Sequence, residues 1–255
     1  MKYLLYPLRF FMDIVINLFF WLYFTLGFCV FLFPVYFIGF LVMRNPETLF
    51  QRLNHYFYRL FFSLSRIFIP GLSITIPDEV KNIRSSVIIC NHISYIDPIL
   101  LISLYPLQKT IVKRSIYTRP VFGWFLKNSG YIAYAADDSN SLAMIDLIQD
   151  LRNYLYRGGN LFVFPEGTRM TGGEIGKFHK GAFSLARRCD APIVLLQITN
   201  TDRLMKPGNL WYSTCFKNPV SIRFLKVIKP EYASDSFSLK SLIAEARASY
   251  LSARP

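Results

Sequence analysis

The sequence has few cysteines, few histidines and few acidic residues. Its four cysteines, Cys29, Cys90, Cys189 and Cys215, form no C-x-x-C pair and no disulfide framework, which indicates free thiols in a reducing compartment. None of the three histidines lies at ligand spacing from a cysteine pair, so we expect no metal site and no bound cofactor. A G-x-S-x-G elbow is also missing, which argues against a serine hydrolase.

Acidic residues are outnumbered by basic ones in an unusually apolar chain. There are 16 Asp and Glu against 29 Lys and Arg, a formal net charge of +13, while 53% of residues are hydrophobic and 17% aromatic. Basic groups are attracted to anionic lipid headgroups, and long apolar blocks are unusual in nucleic-acid-binding proteins. We therefore expect membrane lipids as partners and no nucleic acid.

Formal charge is absent from residue 14 to residue 43. As a straight helix this run would be about 45 Å long, against a hydrocarbon core of about 30 Å. Pro34 lies inside it. A single tilted span and a re-entrant hairpin in one leaflet are both open, and either predicts a membrane anchor over residues 1–45.

The charges on either side of this run bear on its topology. Lys2 and Arg9 precede it, and a larger group of arginines follows it, namely Arg44, Arg52, Arg59 and Arg66. The more positive side of an anchor faces the cytosol. If both flanks are cytosolic, the anchor is a hairpin, and Pro34 makes this the preferred alternative. The rest of the chain is then expected in the cytosol, at the inner membrane if the source is bacterial.

Residues 46–70 have the pattern of an amphipathic helix. Arg52, Arg59 and Arg66 recur every seven residues, and apolar side chains occupy the other face. Such a helix suits a membrane interface. The alternative is an ordinary packed helix with a solvated arginine face.

Beyond residue 70, short apolar runs alternate with helical patterns. Predicted strands cover residues 85–90, 110–113, 131–135, 160–164, 192–199 and 221–227. Predicted helices cover residues 98–104, 121–127, 141–156, 181–188 and 239–251. This alternation predicts an α/β domain over residues 71–255, with a mixed, largely parallel sheet flanked by helices.

A polar cluster follows the first predicted strand of this domain. Asn91 and His92 emerge where that strand ends, and Asp97 comes five residues after His92. A carboxylate can fix the tautomer of an imidazole that acts as a general base. The alternative is that Asp97 and Pro98 merely cap the following helix.

Two further clusters follow in order. The first is F-P-E-G-T-R at 164–169, again directly after an apolar strand, and it contains Glu166, Gly167, Thr168 and Arg169. Arginine binds phosphate through two parallel hydrogen bonds. The second is K-F-H-K-G-A at 177–182, where Lys177 and Lys180 precede a predicted helix start, which also favours an anion.

The ordered blocks N-H-x-x-x-x-D, F-P-E-G-T-R, F-x-K-G-A and A-P-I-V resemble those of the 1-acylglycerol-3-phosphate acyltransferase family, over residues 87–199. The resemblance implies an enzyme of phospholipid biosynthesis. In it, His92 deprotonates an acceptor hydroxyl, Asp97 orients His92, and the alkoxide attacks the thioester of acyl-CoA or acyl carrier protein. It also implies acceptor binding by Glu166, Gly167, Thr168 and Arg169, assisted by Lys177 and Lys180, while Asn91 shapes the turn beside His92.

One block departs from the family pattern. Where family members often carry a phosphate-binding arginine after a strand, this sequence has Ala136, followed by two acidic residues. The substitution leaves the class of reaction intact and removes one counter-charge for an acceptor phosphate. Lysophosphatidate is the first expectation, and another lyso-lipid is the second. A catalytically silent lipid-binding protein and a hydrolase are the remaining alternatives.

Overall fold

The computed structural model describes residues 5–133, 142–170, 172, 174–214 and 217–253. Its internal contacts divide the chain into two compact units. The first comprises Met1–Thr75, Ile93–Pro106 and Thr199–Ser221. The second comprises Ile76–His92, Leu107–Ile198 and Ile222–Pro255. Each unit is therefore assembled from three separate stretches of the chain.

The first unit begins with a long apolar helix. It consists of α1 (Leu5–Leu22), a π-helical segment (Tyr23–Leu32) and α2 (Phe33–Val42). Within it, Phe10–Val42 forms 33 residues with a mean hydropathy of 2.3 in the most apolar part. By length and composition alone, this helix could cross a membrane.

The preferred hairpin is not the geometry of this segment, because no turn separates its three parts. The N–H of Phe33 donates to the carbonyl of Phe28, five residues back, so the helix continues through the wide π turns. Pro34 is the second residue of α2 and directly follows the π-helical turns, which accommodate it within the continuing helix. The segment is a single helix, and its crossing of a membrane stays a prediction.

The next helix, α3 (Glu47–Phe68), packs antiparallel to the apolar helix. The Tyr36 hydroxyl donates to Asn54 Oδ1 at 2.6 Å, and the Tyr23 ring stacks on Phe57 with centroids 4.5 Å apart. Tyr36, the later residue of the apolar helix, contacts the earlier residue of α3, so the two helices run antiparallel. The three arginines of α3, Arg52, Arg59 and Arg66, are exposed. Both the interfacial helix and the ordinary packed helix require this.

The first unit is completed by short elements. These are β1 (Leu72–Thr75), α5 (Asp97–Ile102), α10 (Thr201–Leu204) and the start of β7 (Asn218–Ile228). β1 pairs in parallel with β7, from Leu72 opposite Asn218 to Thr75 opposite Ser221. The sequence pattern did not predict β1, since four residues carry too little periodicity.

The second unit contains most of the sheet. Its strands are β2 (Val87–Cys90), β3 (Gln108–Val112), β4 (Ile132–Ala133), β5 (Asn160–Val163), β6 (Ile193–Thr199) and the remainder of β7. They lie in the order β7-β6-β2-β5-β3-β4. β2 is parallel to β5 and β6, and β3 is parallel to β5 and β4. Gln197 on β6 bonds to Arg223 on β7. The predicted largely parallel sheet is confirmed.

Helices flank this sheet in the second unit: α4 (Asp78–Lys81), α6 (Arg114–Tyr117), α7 (Pro120–Asn128), α8 (Leu142–Tyr156), α9 (Gly181–Cys189) and α11 (Leu239–Ser252). The four longest match predicted helices to within two residues at each end. The one-turn helices α4, α6 and α10 were not predicted, because a single turn leaves no helical periodicity in the sequence.

Alternate strand residues form the core of the second unit. Val87, Ile89, Leu161, Ile193 and Leu195 are buried together with apolar side chains of α8, α9 and α11. The buried Tyr250 hydroxyl of α11 lies 2.7 Å from the Ile89 carbonyl and 2.8 Å from the Leu196 carbonyl. Burial raises the pKa of Tyr250 well above its usual value, so the phenol keeps the proton that it donates. This contact fixes α11 beneath the carboxyl ends of β2 and β6.

Candidate active site

The carboxyl ends of β2 and β5 lie side by side. These strands are parallel neighbours, with Ile89 opposite Val163. Residues that follow neighbouring parallel strands meet at one edge of the sheet, where open α/β sheets place their ligands. His92 follows β2 by two residues and Glu166 follows β5 by three. The sheet therefore brings together two motifs that lie 74 residues apart.

Glu166 joins the loop after β2 to the loop between β5 and α9 through its carboxylate. Oε2 accepts a hydrogen bond from the N–H of His92 at 3.2 Å, and Oε1 accepts one from the N–H of Gly176 at 3.1 Å. The side chain is 5% exposed. Hydrogen bonds to an ionised acceptor are roughly twice as strong as neutral ones, so this buried carboxylate holds the loops in register. Its geometry is that of a positioning group.

The backbone of His92 is fixed on both sides. Its N–H is held by Glu166, and its carbonyl accepts from the N–H of Met170 at 2.7 Å. The imidazole stacks on Phe164, with centroids 4.2 Å apart and planes 23° apart. The ring is half-buried. These contacts place a partly accessible imidazole at the edge of the sheet in a defined orientation.

The side-chain amide of Asn91, directly after β2, pairs with the backbone of β6. Nδ2 donates to the carbonyl of Ile198 at 2.9 Å, and Oδ1 accepts from the N–H of Ile198 at 2.7 Å. The side chain is 4% exposed. Both polar atoms of Asn91 thus bind the backbone of β6, which fixes the turn that carries His92. This geometry is the turn-shaping arrangement inferred from the sequence; a direct substrate contact stays a prediction.

The turn after β5 depends on glycine. Gly167 has φ +65°, a left-handed conformation that L side chains rarely adopt, and its N–H donates to the Phe164 carbonyl at 3.2 Å. A Cβ there would lie 3.5 Å from Cδ2 of His179. The His179 N–H in turn donates to the Pro165 carbonyl at 2.8 Å. The F-P-E-G-T-R turn therefore packs directly on the loop that precedes α9.

The remaining predicted binding residues of this unit are accessible. Thr168, Lys177 and Lys180 are exposed, and Arg169 is half-buried. Lys180 precedes the first residue of α9, and a Cβ at Gly181 would meet nothing within 4 Å. The start of this nine-residue helix is therefore open. Ala136 lies outside the described residues, as does the rest of 134–141.

Asp97 belongs to the first unit, where it is fully buried. Its Oδ2 accepts from the N–H groups of Ile93 and Ser94, both at 2.7 Å. Its Oδ1 accepts from the Thr201 hydroxyl at 2.6 Å. Asp97 is the first residue of α5 and Pro98 the second, so Ile96 and not Asp97 occupies the position before the helix. The carboxylate instead binds the N–H of the residue next to His92 in the chain.

Several site residues were not predicted from the sequence. Thr201 lies 104 residues from Asp97, and no local pattern marks it. Gly176 directly precedes the K-F-H-K-G-A block, His179 lies within it, and Phe164 is the first residue of the F-P-E-G-T-R block. The sequence signal for these three residues is therefore their position in or beside a recognised block. Among the described residues, no cluster of three or more His, Cys, Asp or Glu could hold a metal ion.

Comparison with known proteins finds acyltransferases both in a family model and among individual relatives. The family model described as Acyltransferase matches residues 72–199. A chloroplastic 1-acyl-sn-glycerol-3-phosphate acyltransferase of Brassica napus is 31% identical over 163 residues, covering 62% of this chain and 46% of that protein. A Saccharomyces cerevisiae protein of the same name is 32% identical over 178 residues, covering 68% of this chain and 57% of that protein. The chain spans about half the length of these relatives.

A solved structure shares the fold. The crystal structure of the 1-acyl-sn-glycerophosphate acyltransferase PlsC from Thermotoga maritima superposes with a TM-score of 0.62. The match covers 97% of this chain and 99% of that one, at 19% sequence identity. The similarity therefore extends beyond the 72–199 region to the N-terminal helices.

Proposed function

Since this chain belongs to the acyltransferase family, we propose that it is a membrane-bound O-acyltransferase. The proposed reaction moves a fatty acyl group from an acyl thioester to the free hydroxyl of a lysophospholipid. The first candidate acceptor is 1-acyl-sn-glycerol-3-phosphate, which gives phosphatidate. The names of the relatives support this acceptor, because the curated proteins described above are named for it.

The observation that carries the proposal is the placement of His92. Its N–H is bound to Glu166, its carbonyl to the Met170 N–H, and its ring to Phe164. An imidazole that is half-exposed and held in one orientation suits proton transfer, because a general base has to meet its proton at hydrogen-bonding distance. No serine or cysteine nucleophile is required, since the acceptor hydroxyl attacks.

In the proposed mechanism His92 takes the proton of the acceptor hydroxyl as its oxygen attacks the thioester carbonyl. The tetrahedral intermediate collapses, the C–S bond breaks, and the proton passes from His92 to the thiolate that leaves. Asp97 is assigned the role of fixing the tautomer of His92. Its three hydrogen bonds, from Ile93, Ser94 and Thr201, support this role because they hold the carboxylate in one position.

We assign the acceptor phosphate to the cationic side of the second unit. Arg169, Lys177 and Lys180 supply three positive charges, and the open N-terminus of α9 adds backbone N–H groups. Gly167 and Thr168 form the exposed turn beside them. Glu166 contributes by holding this turn to His92 rather than by binding the acceptor.

The donor and the location follow from the same proposal. Acyl-CoA and acyl carrier protein are both candidate donors, and no metal or tightly bound cofactor takes part. The 33-residue apolar helix and the exposed arginines of α3 support attachment to a membrane. We place the second unit on the cytosolic side, where acyl thioesters are available.

A second acceptor class remains in the proposal because Ala136 stands where family members often carry an arginine. Losing one counter-charge weakens the recognition of a phosphomonoester more than that of a phosphodiester, which carries less charge. The alternative acceptor is therefore another lyso-lipid. A silent lipid-binding role is disfavoured because His92, Asp97 and the F-P-E-G-T-R block are all present.

The test is acyl transfer by the purified chain in detergent. Labelled acyl-CoA and acyl carrier protein are each offered with a panel of lyso-lipids, and products are separated by chromatography. Phosphatidate formed from lysophosphatidate supports the leading acceptor. Transfer only to another lyso-lipid keeps the reaction and replaces the acceptor. Absence of transfer from either donor to any acceptor contradicts the proposal.

A further inference from the structure

One short helix of the second unit exposes bulky apolar side chains. Val121 and Phe122, in the first turn of α7, are 69% and 53% exposed. On the opposite face of α7, Gly123 and Leu126 are buried. The helix therefore has one face in the protein and one apolar face in solvent, which is unusual for adjacent large residues on a rigid element.

The charged residues that precede this turn in the chain are cationic. Lys113, Arg114 and Arg119 precede Val121, and all three are exposed. No acidic residue occurs between Asp97 and Asp137 in the sequence. We call the surface formed by Lys113, Arg114, Arg119, Val121 and Phe122 the α6–α7 face.

The α6–α7 face is held rigidly. The Gly123 N–H donates to the Arg119 carbonyl at 2.7 Å, and a Cβ at Gly123 would lie 2.2 Å from the Tyr117 carbonyl oxygen. Only glycine fits this close approach of α7 to α6. The Thr118 hydroxyl donates to the Arg114 carbonyl at 3.1 Å, which secures the connecting turn. Val121 and Phe122 are thus presented by a fixed platform and not by a loose loop.

We propose that the α6–α7 face docks on the anionic surface of a lipid bilayer, as a membrane contact additional to the N-terminal apolar helix. Exposed apolar side chains that closely follow exposed cations in the chain have the chemistry of an interfacial membrane contact, in which the apolar groups enter the headgroup boundary and the cations meet anionic lipids. Each cation near an anionic surface strengthens binding by about fivefold.

A lipid surface fits the observations better than an acidic protein. The same chain carries a 33-residue helix apolar enough to enter a bilayer, and a tethered domain meets that surface at high effective concentration. A docking surface of two apolar side chains and three cations is then sufficient. The inference does not depend on the proposed reaction, because it concerns residues outside the site of His92 and Glu166.

The test measures immersion of individual side chains in the full chain reconstituted into vesicles. Cys29 and Cys215 are replaced by serine, while Cys90 and Cys189 are buried. Spin labels are then placed singly by Val121→Cys, Phe122→Cys and Ile145→Cys. Ile145 is the matched control, since it is an aliphatic side chain 60% exposed in the same unit, next to Asp146.

In vesicles of equal parts phosphatidylcholine and phosphatidylglycerol, labels at 121 and 122 should be more accessible to oxygen than to a water-soluble nickel complex. The label at 145 should show the opposite. Equal nickel accessibility at 121, 122 and 145 overturns the proposal. Protection at 121 that appears only when an acidic protein such as acyl carrier protein is added also overturns it, in favour of a protein partner.

The charge requirement is tested separately. The double substitution Arg114→Glu and Arg119→Glu should make the label at 121 accessible to the nickel complex. High salt should have the same effect on the chain that keeps both arginines. Immersion at 121 that is the same in phosphatidylcholine alone and unchanged by salt contradicts the role of the cations. The salt arm needs no further substitution, so it remains decisive if the double variant folds poorly.

Discussion

Glu166 and His92 are joined by a hydrogen bond from the main-chain N–H of His92 to Oε2 of Glu166, at 3.2 Å. The second oxygen of the carboxylate binds the N–H of Gly176 at 3.1 Å. Glu166 therefore stabilises the backbone that carries the proposed base, although the F-P-E-G-T-R block to which it belongs was expected to bind the acceptor. This gives Glu166 a role that kinetics can distinguish from acceptor binding.

We expect Glu166→Gln to lower kcat for acyl transfer by about ten- to hundredfold, because an amide NH₂ would face one of two backbone donors. KM for the acceptor should change little. Glu174→Gln is the control, since Glu174 is exposed in the following loop and should leave kcat unchanged. A rise in KM at unchanged kcat would instead assign Glu166 to the acceptor. Steady-state kinetics with varied acceptor separates the two.

Thr201→Val removes the hydroxyl that donates to the buried Asp97 carboxylate at 2.6 Å. The expected cost is about 1–3 kcal/mol of unfolding free energy, because a buried charged acceptor loses one of its donors. Thr201→Ser keeps the hydroxyl and should retain most of the native unfolding free energy. Thermal unfolding of the three proteins in the same detergent measures the difference. A Thr201→Val protein as stable as the native chain would show that the hydroxyl contributes nothing to stability.

Gly167→Ala places a side chain at φ +65°. The expected loss is about 1–2 kcal/mol of unfolding free energy from backbone strain alone, since the nearest atom to a new Cβ is at an ordinary 3.5 Å. Gly181→Ala is the matched control: its Cβ meets nothing within 4 Å and its φ is not positive. Unfolding midpoints in denaturant compare the two. A loss at 181 as large as that at 167 contradicts the strain argument.

The Cys189 thiol should be unreactive in the folded protein. Burial raises its pKa to about 11, and a raised pKa means that the thiolate, the reactive form, is disfavoured. At pH 8 only about one thiol in a thousand is ionised, and the fraction rises about tenfold per pH unit up to the pKa. Peptide mapping after alkylation should show Cys29, which is exposed, modified first. Cys189 modified as fast as Cys29 at pH 8 would be the contrary result.

The α/β core was predictable because its elements carry strong periodicity. The patterns at 141–156 and 160–164 correspond to α8 (Leu142–Tyr156) and β5 (Asn160–Val163) within a residue or two. The hairpin preferred for the anchor was wrong in geometry. Pro34 suggests a turn from sequence, but the preceding π-helical turns let the helix continue through it.

The order of the blocks selected His92, Asp97 and Glu166 as candidate site residues, and their roles in the reaction stay predictions. It did not reveal which backbone groups their side chains bind, because those partners come from distant loops. Thr201 reaches Asp97 across 104 residues, and Glu166 reaches His92 across 74. Such pairs arise from strand order, which determines which loops meet at the edge of the sheet.

The central claim is that His92 is the base in acyl transfer. The most direct measurement is the rate of phosphatidate formation from lysophosphatidate by the native chain, His92→Ala and His179→Ala, each checked for an unchanged unfolding midpoint. We predict that His92→Ala loses about 10²–10⁴-fold in rate, the range for a general base, while His179→Ala retains activity within about tenfold of the native rate. A folded His92→Ala protein that keeps most of its activity would contradict the account.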